Sequence, residues 1–289
     1  MGMGGPNERR VVELRDGRAL CFAEYGAPDG FPVINAHGGL ACRLDVAAAD
    51  SAAREAGVRL ISPDRPGIGG SDPKPGRTIL DWADDIAELT ALLGVETFSV
   101  MGWSMGGQYA AAVGHALAPR TRRVAIIAGV LPLTEPGVFA GLPAFDRYYT
   151  RWSQHSPMLA RTCFGSMAVS ARIAPSWYGR LAARQLGPAD AEVLRAEGFS
   201  TFARMSAEAL RHTEGVADDY RAWIQPWGFR PEDLAVPVDV WAGQQDQLIN
   251  PHWLPELARR IPGANLLRRP GGHFLAHLHF REILDRLKA

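Results

Sequence analysis

Phe98-Ser-Val-Met-Gly-Trp-Ser-Met-Gly-Gly-Gln108 opens as a short apolar β-run and breaks at Gly102-Trp103-Ser104-Met105-Gly106. An alanine-rich helical pattern follows from Gln108 to about Leu117. The stretch reads as strand, sharp turn and helix, with a serine at the apex. Gly102 and Gly106 lie two residues either side, where a Cβ would collide with the neighbouring strand or helix. Such a turn strains the residue at its apex and pushes the hydroxyl out at the carboxyl end of a strand. The next residue's N–H then sits at a helix N-terminus. A lone G-x-S-x-G is a weak signal, but between a β-run and a helix it marks Ser104 as a nucleophile.

Outward from this turn, strands and helices alternate. Arg10–Arg15 and Ala19–Tyr25 flank Asp16-Gly17, a hairpin signal. Pro32–Ala36 is a buried strand running into His37-Gly38-Gly39. A helical pattern spans Leu44 to Ala56, and Val58–Ser62 is the next strand. Thr78 to Leu93 is an amphipathic helix with Thr78 as its N-cap. Beyond the central stretch, Arg123–Ala128, Val238–Ala242 and Ala264–Arg268 read as strands, and Arg281–Leu287 as the final helix. Several strands are apolar throughout, which predicts an α/β fold: a mostly parallel, doubly wound sheet covered on both faces. Residues 132–231 break this rhythm with helical patterns, many aromatics and proline-rich borders. They are expected to form an inserted helical cap over a core made of residues 10–131 and 232–289, with residues 1–9 as a flexible tail.

Composition narrows the classes of function. Across 289 residues, the 31 basic and 31 acidic side chains cancel, so no global field favours nucleic acid or an anionic membrane. No apolar run approaches the roughly 18 residues of a membrane span, and the first ten residues lack a hydrophobic signal core. The three cysteines, Cys21, Cys42 and Cys163, are widely spaced and read as reduced thiols. Together these point to a cytoplasmic protein. Monomer and homodimer both stay open.

The chemistry follows from what Ser104 needs. A serine hydroxyl becomes a useful nucleophile only beside a base, and the base needs a carboxylate to orient it. In chain order, Asp246 follows the strand Val238–Ala242, and His273 follows Ala264–Arg268 through Pro270-Gly-Gly. Parallel strands place such loops at one edge. An oxyanion hole needs two donors: the Met105 N–H, and one from the loop after Ala36, with Gly39 preferred and Leu40 as the alternative. His37 is expected to brace that loop. Leu40, Trp103, Trp152 and Phe274 are the expected substrate contacts. Asp218 and Asp219 read as a solvated face. Cys42 has no base beside it, and His115, His155, His212, His252, His277 and His279 have weaker claims than His273. No metal-ligand cluster is present, and no cofactor is called for.

These features occur in the order of a known family. With the His37-Gly38-Gly39 loop, Asp64-Arg-Pro-Gly-Ile-Gly-Gly-Ser71, the Ser104 turn, Asp246 and Gly272-His273, the chain resembles the α/β-hydrolase-fold family, in its lidded, serine-nucleophile branch of esterases and proline iminopeptidase-like enzymes. The resemblance implies that the Asp64–Ser71 loop supports the oxyanion loop. Where many relatives carry proline in that loop, this chain has Leu40-Ala41-Cys42. Relatives that attack carbon–halogen bonds or epoxides carry aspartate at the apex, whereas serine implies attack on a carbonyl. The leading expectation is hydrolysis of a small-molecule carboxylic ester, apolar or aromatic, through an acyl-enzyme. An aminopeptidase, a carbon–carbon bond hydrolase or a perhydrolase would use the same triad. The aminopeptidase would need acids of the cap, among Glu192, Glu197, Glu208, Glu214, Asp218 and Asp219, to converge near Ser104. A non-catalytic small-molecule receptor is the alternative of another class.

Overall fold

The Ser104 stretch forms an interior strand of the sheet, and its alternating side chains show how the layers are built. In the computed structural model, which describes residues 7–289, Phe98 and Val100 pack into one apolar layer while Met101 packs into the layer on the opposite face. Successive strand residues point to opposite faces, so a strand covered on both sides must be apolar at nearly every position.

The strands are β1 (Asn7–Glu13), β2 (Ala19–Gly26), β3 (Phe31–Ala36), β4 (Val58–Pro63), β5 (Phe98–Trp103), β6 (Thr121–Ile127), β7 (Val238–Gly243) and β8 (Asn265–Arg269). Among the described residues they form one sheet in the order β1-β2-β4-β3-β5-β6-β7-β8. β1 pairs antiparallel with β2, and β2 with β4. The remaining neighbours are parallel. The carboxyl ends of β3, β5, β7 and β8 therefore open on one edge, as the parallel reading requires.

Helices α1 (Asp50–Ala56), α2 (Asp81–Leu92), α3 (Gly106–Ala116), α10 (Trp253–Arg260) and α11 (Leu275–Lys288) cover the sheet. Ala53 of α1 and Leu275, Ile283 and Leu284 of α11 pack with Met101, Ile127 and Trp241 on one face. Ile86 of α2, Ala110 of α3 and Leu257 of α10 lie in the layer on the other. Between β6 and β7 come six further helices: α4 (Ala144–His155), α5 (Pro157–Ile173), α6 (Pro175–Gln185), α7 (Pro188–Glu197), α8 (Phe199–Ala209) and α9 (Thr213–Ala222).

Several boundaries differ from those read in the sequence. β1 starts at Asn7, where Asn7 is in register with Glu24, so the end of the expected tail is strand. Residues 1–6 lie outside the described residues. The helix before β4 is confined to Asp50–Ala56, preceded by a single 3-10 turn, Ala47–Ala49. Thr78 does not cap α2, which begins at Asp81. The Thr78 N–H donates to Asp81 Oδ2 (2.6 Å) and the Asp81 N–H to Thr78 Oγ1 (3.3 Å), closing a separate turn ahead of the helix. The last helix starts at Leu275, earlier than Arg281, because Leu275, Ala276 and Phe280 extend its buried stripe across the histidines His277 and His279.

At the head of β5 the backbone packs at its closest limit. A Cβ on Gly106 would stand 1.9 Å from the Ala36 carbonyl oxygen, and one on Gly102 would stand 2.1 Å from that of Gly106. Gly17, at φ 82 in the β1–β2 turn, has open space around it. Gly106→Ala should therefore destabilise the fold by about 2 kcal/mol or more, through overpacking against fixed backbone. Gly17→Ala should cost about 1 kcal/mol, through its left-handed conformation alone. Urea midpoints measured at unchanged slope check the contrast.

Candidate active site

Ser104 sits at the apex of the β5–α3 turn with φ 55, a left-handed conformation that is rare outside glycine. Its N–H donates to the Ile127 carbonyl at 2.8 Å and its own carbonyl accepts from the Gly107 N–H at 2.9 Å, so both backbone groups are held. The hydroxyl reaches His273 Nε2 at 2.8 Å. On the far side of the ring, His273 Nδ1 meets Asp246 Oδ2 at 3.0 Å. The other carboxylate oxygen of Asp246 accepts the Leu248 and Ile249 N–H groups at 2.8 and 3.1 Å. The loops after β5, β7 and β8 thus bring Ser104, Asp246 and His273 into one hydrogen-bonded line.

The electrostatics of that line are consistent. Burial alone would raise the Asp246 pKa, but the facing imidazole and the two loop amides outweigh it and hold the carboxyl below its ordinary value. Burial alone would lower the His273 pKa. Asp246 outweighs that, with help from Asp190 and Asp146, so the imidazole lies above its ordinary value. With Nδ1–H directed at Asp246, the Nε2 lone pair faces the serine hydroxyl.

A turn formed by Gly39 and Leu40 stands beside Met105, and a Cβ on Gly39 would contact the Met105 side chain at 3.1 Å. Leu40 also takes a positive φ, 54, which is costly for a branched side chain. Among the described residues, the N–H groups of Gly39, Leu40 and Met105 donate to no protein acceptor. These three residues line the same cavity as Ser104 and His273.

What holds this turn is Arg65, from the Asp64–Ser71 loop expected to support it, in a buried ionic cluster whose acid the sequence reading missed. Arg65 donates from Nη2 to the Gly38 carbonyl at 2.9 Å and from Nη1 to the His37 carbonyl. The same guanidinium pairs with Asp219 of α9, Nε to Oδ1 at 3.0 Å and Nη2 to Oδ2 at 2.8 Å. Arg77 adds a second cation at 2.8 Å from Asp219 Oδ1. Asp219 is therefore no part of a solvated face: it is 3% exposed. Burial would raise its pKa, but Arg65 and Arg77 overcome this and hold it well below the carboxylate range. His37 Nε2 accepts the Arg65 N–H at 3.0 Å, leaving Nδ1–H to face the Gly38 carbonyl at 3.0 Å. Burial, then the nearby Arg65, keeps that imidazole neutral.

A cavity of about 590 Å³ opens over Ser104 and is roofed by α4, α5, α6, α8 and α9. Leu40, Trp103 and Phe274 line it, as the sequence reading expects, but Trp152 does not. Trp152 packs against Tyr148 and Tyr149 on its own helix. Phe145, Tyr149, Tyr178, Phe202, Tyr220 and Trp223 supply the aromatic wall instead. None of the acids weighed for an aminopeptidase lines the cavity. Glu197 meets His277, Glu208 meets Arg43, and Asp218 meets Arg221. Two other acids do matter. Asp190 of α7 accepts the Phe274 N–H at 2.8 Å and so anchors the His273 loop. Asp146 of α4 lines the cavity itself. Each lies in the first turn of its helix, where an acid ordinarily only complements the helix dipole, so nothing in the sequence set them apart. Cys42 is buried, and burial pushes its thiol well above the ordinary value.

Comparison with known proteins agrees with this architecture. The sequence model of the alpha/beta hydrolase fold family matches residues 32–280. Similar solved structures include an enol-lactonase from Burkholderia xenovorans LB400, with a TM-score of 0.71 and 19% identity over 96% of this chain and 97% of that one. A thermophilic esterase from Thermogutta terrifontis gives a TM-score of 0.71 and 22% identity over 97% and 96% of the two chains. An esterase from Exiguobacterium antarcticum gives 0.68 and 18% over 99% and 98%. At these identities the likeness is one of fold.

The Arg65 cluster generates a stability prediction. Asp219→Asn would leave two buried guanidinium groups without their counter-charge and should cost about 3–5 kcal/mol at pH 7. Because the folded pKa of Asp219 is depressed, its contribution is present above the unfolded carboxylate value and is lost as pH falls through the folded one. The gap between wild type and variant, followed by urea unfolding, should narrow progressively below about pH 4.

Proposed function

The chain belongs to the alpha/beta hydrolase fold family, and on that premise we propose that it is a serine hydrolase cleaving carboxylic esters through an acyl-enzyme. The observation that carries this reading is the unbroken contact from Asp246 through His273 to Ser104, 3.0 and 2.8 Å, opening on the aromatic-lined cavity.

In this reading His273 Nε2 takes the Ser104 proton as Oγ attacks the ester carbonyl carbon. The carbonyl oxygen gains the negative charge and is held by the Met105 N–H and by that of Gly39. Asp246 keeps the imidazolium oriented while the charge exists. As the C–O bond to the alcohol breaks, His273 returns its proton to the leaving oxygen. Water then attacks the acyl-enzyme with His273 again as base, releasing the acid and restoring Ser104. The α4–α9 insertion acts as a cap that excludes water and shapes the pocket. The aromatic lining supports an apolar acyl or alcohol group, Trp103 and Phe274 flanking the reacting end. A reducing, cytoplasmic setting fits the three unpaired thiols. Serine at the apex favours carbonyl substrates over the alkyl carbon that an attacking carboxylate would take.

Turnover of short aryl esters should be lost by at least about 10⁴-fold in Ser104→Ala and in His273→Ala. A fluorophosphonate should label one peptide, the one containing Ser104, and label it slowly without His273. Folded wild-type protein that neither labels nor turns over any ester would overturn the proposal in favour of a binding protein. The pH profile is a separate check. His273 acts as a base only when neutral, and its pKa is raised in the fold. The acid limb of kcat/KM for aryl ester hydrolysis should therefore have its midpoint above the ordinary imidazole value of about 6.5.

A further inference from the structure

Among the described residues lining the cavity above Ser104, Asp146 alone is a carboxylate, and no lysine or arginine accompanies it. Its position is costly. The surrounding wall is Phe145, Tyr149, Met167 and Trp223, and a carboxyl group loses its hydration in such surroundings unless partners replace it. The protein supplies one partner: Tyr220 Oη donates to Asp146 Oδ1 at 3.2 Å. No described side chain or amide donates to Oδ2, although the group faces the cavity. Asp190, a fully buried acid near His273, also leaves one oxygen unpartnered, but it spends the other on the Phe274 N–H and lies outside the cavity lining, so its anchoring role accounts for it. Asp146 anchors no loop.

We propose that Asp146, oriented by Tyr220, is a polar subsite of this cavity that takes a hydrogen-bond donor carried by the substrate. The substrate is then an ester whose apolar body fills the aromatic wall and whose far end bears a hydroxyl or an ammonium group. This rests on the ester-hydrolase reading of Ser104 and deepens it. Burial pushes the Asp146 carboxyl up to about 6, against the opposing pull of the Tyr220 hydroxyl and of His273. Near neutral pH it is largely ionised and accepts through both oxygens. The free oxygen makes the subsite selective: a methyl end leaves it unpaired, whereas a donor end completes it. Without such a partner, a hydroxyl or ammonium buried in this wall would only lower the rate.

The test compares matched esters in the full-length protein. A ladder of straight-chain 4-nitrophenyl esters would end in methyl, hydroxyl or ammonium. A second ladder of acetate esters would carry the same ends on the alcohol. At one chain length, the donor-ended ester should exceed its methyl twin in kcat/KM by about tenfold or more. In Asp146→Leu that ratio should fall to one or below. Asp146→Asn separates the donors: a hydroxyl preference would survive it, and an ammonium preference would vanish with the charge. The readout is a ratio within each pair, so a general loss of activity leaves it intact, and fluorophosphonate labelling of Ser104 counts the working sites. If Asp146→Leu does not fold, Asp146→Ala takes its place, with the same fall of the ratio to one or below expected for either donor. Methyl twins that match or beat donor-ended esters at every length overturn the subsite. So does an equal slowing of both twins in the variants, which would mean that Asp146 acts only through His273. Failure of every ester together with failure of labelling would overturn the ester reading and the subsite with it, whereas turnover without discrimination overturns the subsite alone.

Discussion

The carbonyl oxygen of Ala36 occupies the place where a Cβ of residue 106 would stand. That single close approach fixes the end of β3 against the start of α3, and the site depends on it. It lets the backbone turn sharply enough for Ser104 to hold a positive φ. It also brings the Gly39–Leu40 turn beside Met105, so that residues with unpaired amides line the same cavity as Ser104. The strain stored at Ser104 and Leu40, on the order of 1–3 kcal/mol each, persists because neighbouring strands over-determine both positions. The hydrogen bonds from Ser104 to Ile127 and Gly107 are part of that over-determination.

Around this packed centre, three carboxylates of the helical insertion do three different things. Asp219 is ionised by two arginines and holds the loop carbonyls of His37 and Gly38 through Arg65. Asp190 receives a backbone amide and fixes the turn that carries His273. Asp146 faces the cavity with one neutral donor and a free oxygen. Their environments, more than their identity, separate the roles: paired charge, backbone cap and open acceptor. The insertion thus reaches past the cavity it lines and into the loops that carry His37, Gly38 and His273.

The sequence was most legible where the pattern is local. The Ser104 turn, the Gly38-Gly39 loop and the strand-end positions of Asp246 and His273 are each short patterns tied to one strand, and a parallel sheet gathers strand ends without further information. The alternation of strands and helices carried the layer order for the same reason. It was least legible in the insertion. Asp219 and Arg65 lie 154 positions apart, and no local pattern announces their pairing. On α4, Phe145, Tyr148, Tyr149 and Trp152 share one face at spacings of three and four, and that pattern does not tell which of them reaches the cavity: Phe145 and Tyr149 line it, while Trp152 packs on its helical neighbours. Helix starts were misplaced where Thr78 and Asp81 close a turn of their own.

The bond between Asp219 and Arg65 also bears on how such a protein can change over generations. A roof joined to its base only by two chain crossings could be exchanged whole, bringing a new range of substrates in one step. Here the roof carries the counter-charge for an arginine buried beneath the loop beside Ser104, and a foreign roof lacking that acid would leave the cation stranded. Diversification of this chain is therefore channelled into single replacements along the cavity wall, while the wiring between roof and base is inherited as one piece.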